Sequence, residues 1–473
     1  MWVGRDKVLR CKVLTDIDTC GDSKCEQRNM FRLSLFQQLF KPLSRNQFAS
    51  LVRTHQADKH RKGFSSWDQL VVMVYAQMSG ARSLRQIEAG FNAHAQHYHL
   101  GTTEMARSTL SQANGKANIE FFNALASALL ARVQKARNRT HFAEVANVLK
   151  IIDSSAITLK GTHFDAWTAG NATRHCQGIK LHVRLDTDID SPAQWGFSAP
   201  NVNDIAWARE HIQISAGDKL SFERGYCDYQ WWDRIDKAGA TFVTRLKSNA
   251  AYAVIQTRSI HARIDARIDA RTDVRTDVRT DAPSDGAGDG AGDEPSDQGA
   301  VLVDQSIALT NKNPGARRYN PFAPSGKRGA GKTDAVGPPR LLRLITVQER
   351  GYKKPWLLVS NDMDSSAQDI ALQYKARWQI ELFFKWMKQH LRIKQFLGRS
   401  PNAVKLQIIT ALIAYLLVQL HKLSTKFEGS LYTLLGQLRP NLLVRPTLYA
   451  EMDRRRREQQ TYFELLQPRL AFL

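Results

Sequence analysis

Cysteine is scarce in this chain, five in 473 residues, and odd in number. So few thiols (Cys11, Cys20, Cys25, Cys176 and Cys227) argue against a disulfide framework and for a reducing compartment. Cys20 and Cys25 lack the two nearby partners that a zinc site would need. No basic-then-apolar signal pattern marks the first residues. Long apolar runs are missing as well. The longest, Ile408 to Val418, is bracketed by Gln407 and Gln419, and is shorter than the roughly 20 residues of a bilayer span. It reads as a buried core helix, and no membrane partner is expected. Acidic charge is in deficit: 45 Asp and Glu against 67 Lys and Arg leave a formal net charge of +22 at pH 7. Such a surplus draws polyanions by counterion release, which makes nucleic acid the first partner to consider.

A 43% hydrophobic content over this length supports two or three folded domains. Residues 1–29 are polar and aperiodic and are expected to be a disordered or non-native leader, with apolar periodicity starting after Met30. Residues 30–140 read as a helical DNA-binding domain. Ser66-x-x-Gln69 and Ser83-x-x-Gln86 predict capped helices over 66–79 and 83–92, and Ser108 or Thr109 predicts another cap, with a helix reaching toward Lys116. Arg53, Lys59, Arg61, Lys62, Arg82, Arg85 and Arg107 give this region a basic surface. A module rich in helix-turn-helix units and a plain helical bundle both fit.

Short β-type runs follow at 148–157, 179–185, 194–198, 220–223 and 241–246, with helical stretches at 204–212 and 228–238, which predicts a mixed α/β sheet over 145–249. Residues 250–362 predict an inserted β region, with strands at 251–256, 300–309, 341–348 and 354–360. Its tip, about 258–338, carries five Arg/Asp tetrapeptides from Ala262 to Asp281 and a Gly/Ala/Asp tract to Gly299, which predict no fold. Residues 363–425 are assigned to the last part of the catalytic domain. Residues 426–473 are assigned to a helical tail, where Arg454 to Arg457 would meet phosphates non-specifically.

The pattern that carries chemistry is Tyr374-x2-Arg377-x3-Glu381-x6-Lys388, which a single helix over 367–396 would place on one stripe. Asp153 closes an apolar strand run, and Glu223 ends another. Three carboxylates at one sheet edge, Asp153, Glu223 and Glu381, repel one another unless cations neutralise them, and hard oxygen donors select Mg²⁺ or Mn²⁺. Two such ions about 4 Å apart could clamp an in-line phosphoryl transfer.

These residues resemble the DDE transposases of insertion-sequence family four, and the likeness runs from about Phe31 to Leu423. The signature spacing carries most of it. Support comes from Ile152-Asp153-Ser154, Gly178-Ile179-Lys180-Leu181-His182, Arg224-Gly225-Tyr226 and Phe242-Val243-Thr244-Arg245-Leu246-Lys247. The resemblance implies a ribonuclease-H-like mixed sheet with an inserted β region, preceded by an all-α domain. It implies Asp153 and Glu381 as metal ligands, with Tyr374, Arg377 and Lys388 on the DNA near its scissile phosphate. Lys180, His182, Arg224, Trp356 and Arg107 complete the candidate DNA-contacting set. Trp356 and Trp378 are candidates for stacking on an extruded base, although buried packing is the expected state of Trp378. The implied partners are terminal inverted repeats, target DNA and a second copy in a synaptic complex, in a cytoplasmic, nucleoid-associated setting. One departure is marked. Glu223 stands where the family has Asp, and its extra methylene moves the carboxylate by about 1.5 Å, a displacement of a size that can cost about 100-fold in rate.

Overall fold

The computed structural model describes residues 34–93, 100–138, 148–159, 164, 177–189, 191–259, 300–310, 322, 340–349, 352–391 and 396–443. The expected leader, the tetrapeptide repeats and the Arg454 to Arg457 run lie outside the described residues. Contacts divide the chain into two compact units, one of residues 1–132 with 390–473 and one of residues 133–389.

The first unit holds α1 (Leu35–Phe40), α2 (Arg45–Thr54), α3 (Ser66–Ser79), α4 (Leu84–Asn92), α5 (Arg107–Gly115) and the start of α6 (Ile119–Asn138). Its cap on α3 lies one residue before the expected one: Asp68 N–H donates to Ser65 Oγ at 3.2 Å and Ser65 N–H to the Asp68 carboxylate at 2.8 Å. The reciprocal bonds satisfy two amides that a helix start otherwise leaves open, and Gly80 at φ 74° ends the helix. Ser83 caps α4 as expected, through the Gln86 N–H at 3.2 Å. The cap expected at Ser108 or Thr109 is not formed. Ala106 holds the N-cap position of α5, and both hydroxyl residues lie inside the helix.

Most of α3 is buried, and its partner is remote in sequence. Helix α11 (Pro401–Thr425) packs on α1, α3, α5 and α12 (Leu431–Leu438). Gln77 Nε2 donates to the Gln407 carbonyl at 3.2 Å, and Arg439 Nε donates to the Met78 carbonyl at 3.0 Å. The apolar run Ile408 to Val418 is thus a core helix, as expected, but of the helical unit. The segment assigned to the end of the catalytic domain at 425 leaves that unit at 389. A helix that is apolar all round demands burial without saying against what.

The second unit is built on one nine-stranded sheet in the order β3-β2-β1-β4-β5-β9-β8-β7-β6. The strands are β1 (Leu149–Thr158), β2 (Gly178–Asp186), β3 (Ser191–Ser198), β4 (Lys219–Phe222), β5 (Thr241–Arg245), β6 (Ala251–Thr257), β7 (Ala300–Thr310), β8 (Leu342–Gln348) and β9 (Trp356–Ser360). Strands β1, β2 and β3 pair antiparallel, and β4 and β5 pair parallel to β1. This is the ribonuclease-H-like arrangement expected from the sequence. The inserted strands form no separate layer. They extend the same sheet through β9, which is antiparallel to both β5 and β8.

Helices α7 (Asp204–His211) and α8 (Tyr229–Lys237) connect the parallel strands. Trp231, Trp232, Phe222, Phe242 and Tyr226 form the aromatic centre of the core between α8 and the sheet. Asp228 starts α8 by accepting the Trp231 N–H at 2.9 Å. That cap fixes the phase at which both tryptophans face inward.

At the end of the β1 and β2 ladder, Gly178 pairs with Thr158, and a Cβ at 178 would meet the Ile157 carbonyl oxygen. Backbone cannot swing aside as a side chain does. Gly178→Ala is therefore expected to lower stability by about 1–3 kcal/mol in urea titrations.

Candidate active site

The parallel ladder between β1 and β4 ends with Ile152 opposite Phe222. The next residues, Asp153 and Glu223, therefore leave the ladder side by side. Asp153 lies in mid-strand rather than at a strand end, because β1 continues to Thr158 along β2. Glu223 precedes the short 3₁₀ turn Arg224–Tyr226, and its Oε2 accepts the Arg224 N–H at 3.2 Å.

The signature residues face this pair from α9 (Ala367–Ala376) and α10 (Trp378–His390). The single helix expected over 367–396 is interrupted at Arg377, where i to i+3 bonds replace helical ones: Arg377 N–H donates to the Tyr374 carbonyl and Ile380 N–H to the Arg377 carbonyl. Tyr374 OH donates to Glu223 Oε1 at 3.1 Å. Arg377 Nη2 lies 3.0 Å from the same oxygen and 2.8 Å from Glu381 Oε1. One guanidinium nitrogen thus bridges two of the three candidate acids.

Arg377 is 8% exposed. Burial alone would lower its pKa, yet Glu223, Tyr374 and Glu381 outweigh that cost and hold it above the ordinary arginine value. Its Nε and Nη1 are buried without a hydrogen-bond partner among the described residues. Asp153 is pushed up to about 7, chiefly by burial; its bond from the Ser154 N–H and the Arg377 charge oppose the rise, and Glu223 and Asp204 add to it. Burial also raises the Tyr374 phenol, and the Glu223 charge raises it further.

A Transposase DDE domain model matches residues 147–417, and a domain of unknown function (DUF4372) matches residues 32–103. The Sinorhizobium fredii protein y4zB, which carries a transposase name, is 32% identical over 311 residues, 66% of this chain and 70% of that protein. This chain belongs to the DDE transposase family. A Geobacillus stearothermophilus protein named as a transposase for insertion sequence element IS5377 is 42% identical over 62 residues, 13% of this chain and 16% of its own. The piggyBac transposase synaptic complex with hairpin DNA superposes on 91% of this chain and 86% of its own at a TM-score of 0.40 and 10% identity, a likeness too distant to bear on the site.

The transposase's other candidate residues are distributed unevenly. Lys388 reaches back from α10 and donates to Ser155 Oγ on β1. Lys180 Nζ is held by Asp204 Oδ1 at 3.0 Å and the Val202 carbonyl at 2.7 Å, so its charge is already engaged. His182 is 0% exposed, stacked on Trp207 at 4.4 Å between ring centres and bonded to Ser198 Oγ, which makes it a core residue and excludes the expected direct DNA contact. Arg224 and Arg107 are exposed. Trp356 is half-buried, with its ring edge-on to Tyr374 at 5.6 Å. Trp378, expected to be buried, is 54% exposed. In the helical unit Arg53, Lys59, Lys62, Arg82, Arg85 and Arg107 are exposed, whereas Arg61 is half-buried and bonds to Gln69 at 3.0 Å.

Asp204 escaped the sequence reading except as a helix start. Its Oδ1 accepts Ser154 Oγ at 2.7 Å as well as Lys180, which ties α7 to the residue after Asp153. No spacing relates 204 to 153; the side-chain bond from Ser154 to Asp204 joins them.

A DDE domain implies dependence on a divalent metal. The donor set suits one: carboxylate oxygens only, with Asp153 raised toward neutrality by its burial among other acids. Yet among the described residues no three His, Cys, Asp or Glu side chains are gathered closely enough to hold an ion. The expected convergence is therefore partial, and Arg377 supplies positive charge between Glu223 and Glu381.

Two outcomes follow from this geometry. Arg377→Met leaves two facing carboxylates without a counter-charge, and the half-exposed setting of both suggests a loss of about 1–3 kcal/mol in EDTA, recovered in part by Mn²⁺ in thermal melts. His182, lowered to about 4 by burial, stays neutral in the folded chain while the unfolded chain takes up a proton below about 6.5. Its contribution to stability is full above pH 6.5 and is lost as pH falls toward 4. His182→Phe, which keeps the stack, should flatten the dependence of Tm on pH in that window.

Proposed function

We propose that this transposase binds the terminal inverted repeats of an insertion sequence through its helical unit and basic surface, then cleaves and joins DNA at Asp153, Glu223 and Glu381. The observation that carries the reading is the Arg377 guanidinium. Its Nη2 holds positive charge between Glu223 and Glu381, at the place where a phosphate would meet the acids. Water would attack phosphorus at the element end, breaking the bond to the 3′-oxygen, and the freed 3′-hydroxyl would attack a target phosphorus and displace a second 3′-oxygen. No covalent enzyme intermediate is needed, in keeping with the lack of a nucleophile motif.

Asp153, Glu223 and Glu381 would hold two Mg²⁺ or Mn²⁺ ions, whose chemistry when bound is to activate the attacking oxygen and stabilise the leaving one. Arg377 and Lys388 would supply positive charge to the phosphate, Lys388 as a point charge and Arg377 from its place between the two acids. Tyr374 keeps the Glu223 carboxylate in place through its hydroxyl. The exposed bases Arg53, Arg82, Arg85 and Arg107 supply phosphate contacts that fix register rather than read sequence. A homodimer pairing two element ends is the expected working form.

A second reading is a DNA-binding protein with impaired catalysis. It is favoured by Glu223, whose oxygens are both engaged, Oε1 by Tyr374 and Arg377 and Oε2 by the Arg224 amide. A third, a nuclease that cuts without joining, shares the same site. Labelled element ends incubated with a target plasmid in Mg²⁺ or Mn²⁺ separate the three on one gel: cleavage with joining, binding alone, or cleavage alone. Asp153→Asn should abolish cleavage. Glu223→Asp should raise it by up to about 100-fold, and an unchanged rate would remove the argument from the extra methylene.

A further inference from the structure

The inserted strands contain a buried ion pair that the proposed chemistry does not use. Arg343 on β8 and Asp304 on β7 have side chains 4% and 2% exposed. Arg343 Nε donates to Asp304 Oδ1 at 2.8 Å and Nη2 donates to Oδ2 at 2.6 Å, a two-pronged fork. Taking both charges out of water costs several kcal/mol per ion, and apolar side chains of similar volume commonly serve stability as well or better. Stability alone therefore does not account for the pair.

The remaining arginine nitrogen suggests what does. Arg343 Nη1 donates to the Ser365 carbonyl and, at 3.4 Å, to the Asp362 carbonyl. A second arginine joins it at the base of the insertion: Arg258 Nη2 donates to the Met363 carbonyl at 2.8 Å, while the Arg258 N–H donates to the Asp304 carbonyl at 2.8 Å. From the other side, the Asp362 carboxylate accepts the N–H groups of Asp364 at 3.0 Å and Ser365 at 2.9 Å and the Ser365 hydroxyl at 2.6 Å. Residues 362–365 are thus held through both carbonyls and amides. Ser366 then caps α9 by accepting the Asp369 N–H at 3.0 Å. Two turns on, Tyr374 meets Glu223.

We propose that Arg343, locked by Asp304, is a positioning residue for the active site: it fixes the turn from which α9 starts and so sets the rotation of Tyr374 and Arg377 against Glu223. A helix turns by about 100° per residue, so slippage at its first turn is carried to every side chain beyond. Apolar packing of Ile370 and Ala371 against Ile345 and Leu358 holds α9 to the sheet, but such contacts are non-directional, whereas the arginine fork is not. The inserted strands would then serve as the bracket of the signature helix. This inference rests on the reading of Glu223, Tyr374 and Arg377 as active-site residues.

The test is the full chain with Arg343→Met and Asp304→Leu combined, which removes both charges while keeping apolar volume. The expected result is a melting temperature within a few degrees of the parent, unchanged affinity for labelled element ends, and cleavage at saturating DNA reduced by about 10- to 100-fold. Faster amide exchange over residues 367–376, with β1 and β4 unchanged, should accompany it. Arg343→Lys, which keeps the charge but cannot span Asp304 and the Ser365 carbonyl together, should give the same split of rate from affinity and covers the case of a double variant that fails to fold. Parental cleavage and parental exchange in a folded variant would overturn the inference. Should the parent itself bind but never cleave, the proposed function fails, and exchange over 367–376 still decides the positioning role.

Discussion

Like charges converging on one place need a counter-charge, and in this chain Arg377 provides it. Asp153 and Glu223 leave neighbouring strands and Glu381 comes from a late helix, so these carboxylates repel as they approach unless positive charge lies between them. A guanidinium nitrogen at 3.0 Å from Glu223 and 2.8 Å from Glu381 turns that repulsion into a joint. The joint lies where the backbone leaves the regular hydrogen-bond ladder, at 377, between the helices that carry Tyr374 and Glu381.

The same logic gives Asp204 its place. Burial raises the Asp153 pKa most, and Glu223 and Asp204 add to it, while Lys180 and Ser154 spend their polar atoms on Asp204. A lysine expected on DNA is thus part of the internal charge balance around Asp153. The surface that could meet DNA is carried instead by residues such as Arg224 beside the site and the exposed bases of the helical unit.

Much of the architecture was legible in the sequence because alternation and turn residues mark strands locally: the runs expected at 148–157, 179–185, 220–223 and 241–246 match β1, β2, β4 and β5 within a residue or two. The signature spacing was legible for the same reason, being local to one helical segment. What failed was whatever depended on partners. β2 lies between β1 and β3, with both of its faces largely covered, so parity could not say that His182 is interior although Lys180 two residues earlier keeps some exposure. For Trp378 the signal was present and went unused. Ile380, Phe383, Phe384 and Met387 recur at helical intervals and claim the buried face of α10, which leaves Trp378 and Leu382 on the opposite side.

The placement of α11 and of the insertion makes a related point about tolerance. In sequence the tetrapeptide tract falls between β6 and β7, the last two strands at one edge of the sheet. Loop-closure entropy grows only slowly with length, so a long tract there costs little. Its roots are another matter. Arg258 just before the tract and Asp304 just after it both act on residues 362–365, directly in one case and through Arg343 in the other. The register that matters is that of β7 with β8, because slippage of one residue there would reverse the face on which Asp304 lies and free the turn ahead of Tyr374. The exacting part of the insertion is its base, where the buried pair of Arg343 and Asp304 holds the geometry of residues 362–365.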